Sequence, residues 1–99
     1  MYKQDHLFAI IIISEDNLFV VQCLHLMRTK YEHAFIERVF GKEDFSVLLN
    51  ELQKEEFTEG YIIIDSQIRG EEMLAIYKLI ERYKAFMNLN IHIGIDEEL

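Results

Sequence analysis

The sequence predicts an α/β fold in which a parallel sheet lies between helical layers, in the order β-α-β-α-β-α-β. Short apolar runs alternate with segments of helical period, and the two most hydrophobic runs, residues 7–13 and 61–64, are apolar on both faces. Such alternation indicates a sheet with right-handed crossovers, covered by helices on both sides. The two apolar runs are expected at the centre, which gives the strand order 2-1-3-4 with residues 34–40 and 91–95 at the edges.

The first strand, residues 7–13, is followed by a predicted helix. Residues 14–17, Ser-Glu-Asp-Asn, supply N-cap candidates and the negative charge that favours a helix N-terminus. The helix is predicted from Leu18 to about Tyr31. The helix should be substantially covered, because its apolar residues form a broad stripe: they recur at Leu18, Val21, Leu24 and Tyr31, and Phe19, Val20, Cys23, Leu26 and Met27 widen it.

The other two helices have clearer apolar faces. Helix two is predicted to begin in residues 41–44, and its apolar residues fall at i, i+3, i+4 and i+7: Phe45, Leu48, Leu49 and Leu52. Helix three is predicted to begin at Glu71 and Glu72. Its buried face is expected to comprise Ile76, Leu79, Ile80, Tyr83, Phe86 and Met87. A final strand is predicted over residues 90–96.

Composition excludes several classes of function. The 99 residues are 51% hydrophobic and are expected to form one domain, residues 1–99. Eighteen acidic residues against ten basic residues give a net charge of −8, which argues against direct nucleic-acid binding and against anionic membranes. Residues 7–13 are too short to span a bilayer and lack a signal-peptide cleavage site. We expect a cytoplasmic protein.

The sequence gives no support to an enzyme. The single cysteine, Cys23, excludes an internal disulfide and is expected to be a buried thiol. The four histidines show no metal-ligand spacing. No serine lies in a nucleophile elbow, and there is no glycine-rich phosphate loop.

Acidic residues follow both central strands. Glu15 and Asp16 come after strand one, and Asp65 comes after strand three. With the order 2-1-3-4, the winding direction reverses between these strands, which is where open α/β sheets bind ligands. Grouped carboxylates can hold a hard divalent cation such as Mg²⁺, and an aspartate beside it can accept a phosphoryl group. The alternative is that these acids are ordinary charged loop residues.

This pattern resembles the receiver domain of bacterial response regulators over nearly the whole chain. Residues 10–18, IIIISEDNL, are similar to the receiver's first strand and acidic pair, and residues 61–70, YIIIDSQIRG, are similar to its third strand and the loop after it. The resemblance implies a flavodoxin- or receiver-like three-layer sheet, truncated after its fourth strand. It implies that Asp65 occupies the phosphoacceptor position and Glu15 one position of the acidic pair, as in two-component signal transduction.

The sequence departs from the receiver pattern in several places. Ser14 stands where the family usually has the other acid, and Arg69 stands where its loop commonly has proline. The fourth strand ends without a clear Ser or Thr, and the fifth strand with its lysine is missing. The closest resemblance is therefore to degenerate receivers, or pseudo-receivers, such as those at the N-termini of LuxR-type transcription regulators. These keep the fold and lose the phosphorylation apparatus, which implies a non-enzymatic regulatory domain without a required cofactor.

The final strand suggests a protein partner. Ile91, Ile93 and Ile95 alternate with His92 and Gly94, and an uncovered edge strand tends to pair with another chain. We therefore expect a homodimer or another protein partner, bound through the final strand or through the exposed parts of helices one and three, with the three isoleucines as interface candidates. Two alternatives remain: a receiver phosphorylated at Asp65 with Mg²⁺, and a binding module like the anti-sigma-factor antagonists, with Ser66 as the phosphorylated residue.

Overall fold

The computed structural model describes residues 8–95, in which four parallel strands alternate with three helices. The strands are β1 (Phe8–Ile13), β2 (Phe35–Val39), β3 (Glu59–Ile64) and β4 (Asn88–Ile93). The helices are α1 (Asn17–Lys30), α2 (Lys42–Lys54) and α3 (Gly70–Tyr83). The sheet order is β2-β1-β3-β4, and every adjacent pair is parallel, which confirms the predicted fold and strand order. Leu7 and Asp96, which the predicted first and last strands included, lie outside the described residues.

The sheet has a hydrophobic core on each face, because successive strand residues point to opposite sides. The α1 core comprises Ile10, Ile12, Val20, Cys23, Met27 and Ile63. The α2/α3 core is larger, and its strand residues include Ala9, Ile11, Ile13, Ile62, Ile64 and Leu89. The isoleucines of β1 are fully buried, and each contributes roughly 1.5–3 kcal/mol to folding. This burial on both faces explains why β1 is apolar at every position.

Helix α1 buries only part of the broad apolar stripe that the sequence predicts. Val20, Cys23 and Met27 face the sheet, whereas Leu18 and Val21 are 67% and 59% exposed. The expectation that Leu18 and Val21 lie on a covered stripe was therefore wrong. The reason is that a single helix lying on a sheet buries about one stripe, and in the described residues α1 is the only helix on its face of the sheet.

Helices α2 and α3 follow their predicted faces closely. All four predicted core residues of α2 are buried: Phe45, Leu48, Leu49 and Leu52. In α3, Ile76, Ile80 and Tyr83 are buried. Phe86 is exposed, contrary to prediction, because α3 ends at Tyr83 and the chain turns before β4.

Strand β4 begins earlier than predicted, at Asn88, and ends at Ile93. Gly94 follows with a φ of 78°, a left-handed conformation that glycine adopts without a steric penalty. Ile91, within the strand, packs against the α2/α3 core. Because the chain changes direction at Gly94, Ile95 packs against the α1 core on the other face of the sheet. The predicted alternation through Ile95 was therefore wrong, and the three isoleucines do not share one face.

Candidate functional site

The candidate site lies at the C-terminal ends of β1 and β3. Ile13 pairs with Ile64 at the end of the ladder between these strands, so Ser14 and Asp65 occupy equivalent positions just beyond it. The Ser14 N–H donates to the Val39 carbonyl at 3.0 Å, and the Asp65 N–H donates to the Ile13 carbonyl at 3.0 Å. Both residues are thus held by the sheet where the winding direction reverses, the usual ligand position of an open α/β sheet.

Ser14 and Asp65 are directly hydrogen-bonded. The Ser14 hydroxyl donates to Asp65 Oδ2 at 2.6 Å, a length typical of a hydroxyl bonded to a carboxylate. Asp65 Oδ1 accepts the Gln67 N–H at 3.0 Å, and Ser14 Oγ accepts the Asp16 N–H at 2.9 Å. Ser14 is fully buried and Asp65 is 6% exposed. Each Asp65 oxygen therefore already accepts a hydrogen bond within the protein.

Asp16 has a structural role at the start of α1. It is the N-cap residue, and its Oδ1 accepts the N–H groups of Leu18 at 3.0 Å and Phe19 at 3.5 Å. An N-cap of this kind stabilises a protein by about 1 kcal/mol. The adjacent Glu15 is exposed. Asp16 is exposed as well, so the two predicted acids after β1 differ in that Asp16 caps the helix.

A cleft of about 830 Å³ opens beside Asp65 and brings the three predicted carboxylates together. Its lining includes six carboxylate residues: Glu15, Asp16, Glu43, Asp44, Asp65 and Glu72. Arg69 is the basic residue of the lining. The cleft is therefore strongly acidic. Glu15, Asp16 and Asp65 follow the central strands as predicted, whereas Glu43, Asp44 and Glu72 come from the first turns of α2 and α3 and were not predicted to lie here.

Two of these acids hold the N-terminus of α2. Asp44 accepts the N–H groups of Phe40 at 2.8 Å and Gly41 at 3.0 Å. Glu72 of α3 accepts the Lys42 N–H at 2.8 Å, and a Cβ on Gly41 would lie 2.8 Å from Glu72 Oε2, so glycine permits this approach. Partial burial opposes ionisation of Asp44, but its backbone hydrogen bonds outweigh this effect and lower the pKa of its carboxyl. Within residues 8–95, no three His, Cys, Asp or Glu side chains are grouped to hold a metal ion.

Arg38 of β2 contacts the loop that carries Ser14. Its Nε donates to the Ser14 carbonyl at 2.8 Å, and its terminal NH2 nitrogen donates to Asn17 Oδ1 at 2.7 Å. Its guanidinium also lies 3.9 Å from the centre of the Phe40 ring, a cation–π contact. Arg38 therefore joins β2 to the β1–α1 loop. A basic residue inside a predicted strand is the sequence signal that points to it.

Cys23 lies beneath the site in the α1 core. Burial raises the pKa of its thiol to about 11, and the negative charge of Asp65 acts in the same direction. The thiol is therefore protonated at neutral pH, and the thiolate needed for nucleophilic chemistry is scarce. The expectation that Cys23 is buried is confirmed.

Comparisons of the chain with protein families, with curated proteins and with solved structures give no match. The resemblance to receiver domains, carried by residues 10–18 and 61–70, therefore stays a prediction. Among residues 8–95, no helix is both long enough and apolar enough to cross a bilayer.

Proposed function

We propose that this chain is a cytoplasmic, non-enzymatic regulatory domain that acts by protein–protein association and forms a homodimer through β4. The edge formed by β4 carries the proposal. Its six residues, NLNIHI, include no acid and no lysine or arginine, although the chain has a net charge of −8. Charged side chains are a common protection of edge strands, and an edge without them favours pairing with another chain.

The outer backbone groups of β4 belong to Leu89, Ile91 and Ile93. The Gly94 N–H donates to the Ile64 carbonyl, and the Asn88 N–H donates to the Thr58 carbonyl, so the even-numbered residues direct their backbone toward β3. Backbone groups alternate along a strand, so the odd-numbered residues direct theirs away from β3. In the described part of the chain, β4 pairs only with β3. Its outer row of donors and acceptors is therefore available to a second strand.

A second copy fits this edge through a two-fold axis at Ile91. Antiparallel pairing would place Ile91 opposite its counterpart and Leu89 opposite Ile93 of the second chain, with the outer backbone groups of both strands hydrogen-bonded. Ile93 is 49% exposed on the α2/α3 face, and this pairing would bring it beside apolar side chains. Two four-stranded sheets would thereby become one continuous sheet.

The hydrogen bonds of Asp65 support a non-enzymatic function. A phosphoacceptor carboxylate must reach the phosphorus atom with a free oxygen. Here Oδ2 accepts the Ser14 hydroxyl and Oδ1 accepts the Gln67 N–H, in a side chain that is 6% exposed. Mg²⁺-dependent phosphorylation of Asp65 remains the alternative, since Asp65 lines the cleft at the topological switch point.

Sedimentation velocity over a range of protein concentrations tests the dimer. We expect a dimer at micromolar concentration, and we expect Ile93→Lys to be monomeric because it places a charge beside the paired edge. Val47→Lys is the matched control, since Val47 is an exposed apolar residue of α2. Circular dichroism establishes that both variants fold. A wild-type monomer at all concentrations, or equal dimer dissociation in the two variants, would contradict the proposal.

A further inference from the structure

The opposite edge of the sheet, β2, is also open, but its surroundings are acidic. Val39 accepts the Ser14 N–H through its carbonyl, so Val39 directs its backbone toward β1. By alternation, Ile36 and Arg38 direct their N–H and C=O groups outward. The neighbouring residues agree with this assignment, because the Ala34 carbonyl accepts from Arg28 and the Phe40 N–H donates to Asp44. Within residues 8–95, β2 pairs with β1 alone.

A small groove with an apolar floor runs beside this edge on the side of α2. It has a volume of about 230 Å³, and its apolar residues are Phe35, Leu48, Leu52 and Phe57. The rings of Phe35 and Phe57 lie 5.6 Å apart, and Phe35 is 40% exposed. The groove therefore offers an accessible apolar surface of a size that suits one side chain.

Three glutamates surround the apolar floor. Glu37 lies on β2, Glu51 lies in the last turn of α2, and Glu55 is the C-cap residue of that helix; all three line the groove and are exposed. Like charges four residues apart on a helix repel each other. Among residues 8–95, the ion pairs are His33–Glu32 and Lys84–Glu81, so neither includes a groove glutamate. The acidic rim is thus suited to a basic partner.

We propose that β2 and this groove bind an extended, basic segment of a partner protein, which adds to the sheet as a fifth strand. The segment's backbone pairs with Ile36 and Arg38, one of its apolar side chains enters the groove, and Lys or Arg two residues to either side faces the glutamates. Strand addition supplies affinity through the backbone, and the acidic rim supplies specificity and a faster association rate.

The other face of the same edge restricts the sequence of the segment. Arg38 and Ile36 direct their side chains to the α1 side, where Arg38 bonds to Ser14 and Asn17. A cation on that face of the segment would be repelled by Arg38, so the intervening residues are neutral. The segment therefore alternates basic or apolar residues with neutral residues. A second copy of this chain is a poor occupant, because its net charge is −8.

The probe is a synthetic peptide of about ten residues, a typical length for a strand, with Lys-Thr-Leu-Thr-Lys at its centre. Binding is measured by fluorescence anisotropy, and the contact is located by backbone amide NMR. We expect shifts at Ile36 and Arg38. The triple variant E37Q/E51Q/E55Q should bind about tenfold or more weakly, because it removes the complementary charges. The control E32Q/E71Q/E81Q removes the same charge from exposed acids that line neither the groove nor the cleft beside Asp65, and it should bind as the wild type does.

Three results would overturn the proposal. If a scrambled peptide of the same composition binds equally well, only composition and net charge matter. The same conclusion follows if the control triple variant loses as much affinity as the groove variant. Amide shifts at Ile36 and Arg38 on raising the protein concentration alone would identify the occupant as a second copy. The β4 dimer is measured separately by sedimentation, so failure here leaves the proposed function intact.

Discussion

The Ser14 hydroxyl donates to the Asp65 carboxylate at 2.6 Å, between residues that are 51 positions apart in the chain. This hydrogen bond joins the loops after the two central strands, and it occupies the oxygen Oδ2 of the most buried acid in the cleft. A hydroxyl can donate here, whereas a second ionised carboxylate at the same position would repel Asp65. The Ser14 hydroxyl therefore supplies the buried carboxylate with a donor from within the protein.

Ser14→Ala should destabilise the protein. Asp65 would lose the hydroxyl donor of its buried carboxylate, and hydrogen bonds to charged groups contribute about 1.5–3 kcal/mol to the free energy of unfolding. Urea denaturation measures the difference. Ser66→Ala is the control. Ser66 directly follows Asp65 but is exposed, so this substitution should change the free energy of unfolding by less than about 0.5 kcal/mol. Equal losses in the two variants would mean that the hydrogen bond contributes little.

Asp16→Ala should cost about 1 kcal/mol of stability, because it removes the side chain that accepts the N–H groups of Leu18 and Phe19. Asp16→Asn should keep most of this stability, since asparagine also caps helices well. Thermal denaturation of the three proteins tests this pair. If Asp16→Asn and Asp16→Ala lower the melting temperature equally, the charge of Asp16 stabilises the protein and its hydrogen bonds as N-cap do not.

The buried thiol predicts a loss of stability at alkaline pH. Burial and the charge of Asp65 raise the pKa of Cys23 from 9.0 to about 11, so the folded state binds the thiol proton more tightly than the unfolded state does. Below pH 9.0 the thiol is protonated in both states, so it gives the free energy of unfolding no dependence on pH. As the pH rises from 9.0 toward about 11, the unfolded state loses the proton first and the free energy of unfolding falls. Cys23→Ala lacks this contribution. When unfolding is measured across this pH range, the wild type should lose free energy of unfolding relative to Cys23→Ala. If the free energies of the two proteins change in parallel with pH, the prediction is wrong.

Magnesium with beryllofluoride, a phosphate mimic, should leave the amide signals of Ser14 and Asp65 in place. The reason is that binding would require Asp65 to release the Ser14 hydroxyl or the Gln67 N–H. An NMR titration measures this, with magnesium alone as the control. Specific shifts around Asp65 and Glu15 would favour the phosphoacceptor alternative over the proposed function.

The sequence predicted the sheet order because its two central strands are apolar on both faces. It predicted the face of α2 because Phe45, Leu48, Leu49 and Leu52 are almost its only apolar residues. Helix α1 has too many apolar positions for periodicity to select one stripe, so the neighbouring strands decide which are buried. Ile95 was assigned to the wrong face because the positive φ of Gly94 changes the alternation.

The candidate site was only partly predictable for a different reason. Fold topology placed Glu15, Asp16 and Asp65 at one edge, and the cleft does contain them. The partners of these acids follow from three-dimensional contacts over long sequence separations: Ser14 with Asp65, and Arg38 with the Ser14 carbonyl. Spacing rules apply within one helix or strand and do not detect such pairs.

Amide hydrogen exchange at β4 tests the proposed dimer most directly. At a concentration well above the dimer dissociation constant that sedimentation gives, the outward amides of Leu89, Ile91 and Ile93 should exchange slowly, and they should exchange much faster after dilution well below that constant, where the dimer dissociates. The outward amides of Ile36 and Arg38 on β2 are the internal control and should not depend on concentration. Fast exchange of the three β4 amides at both concentrations would contradict association through β4.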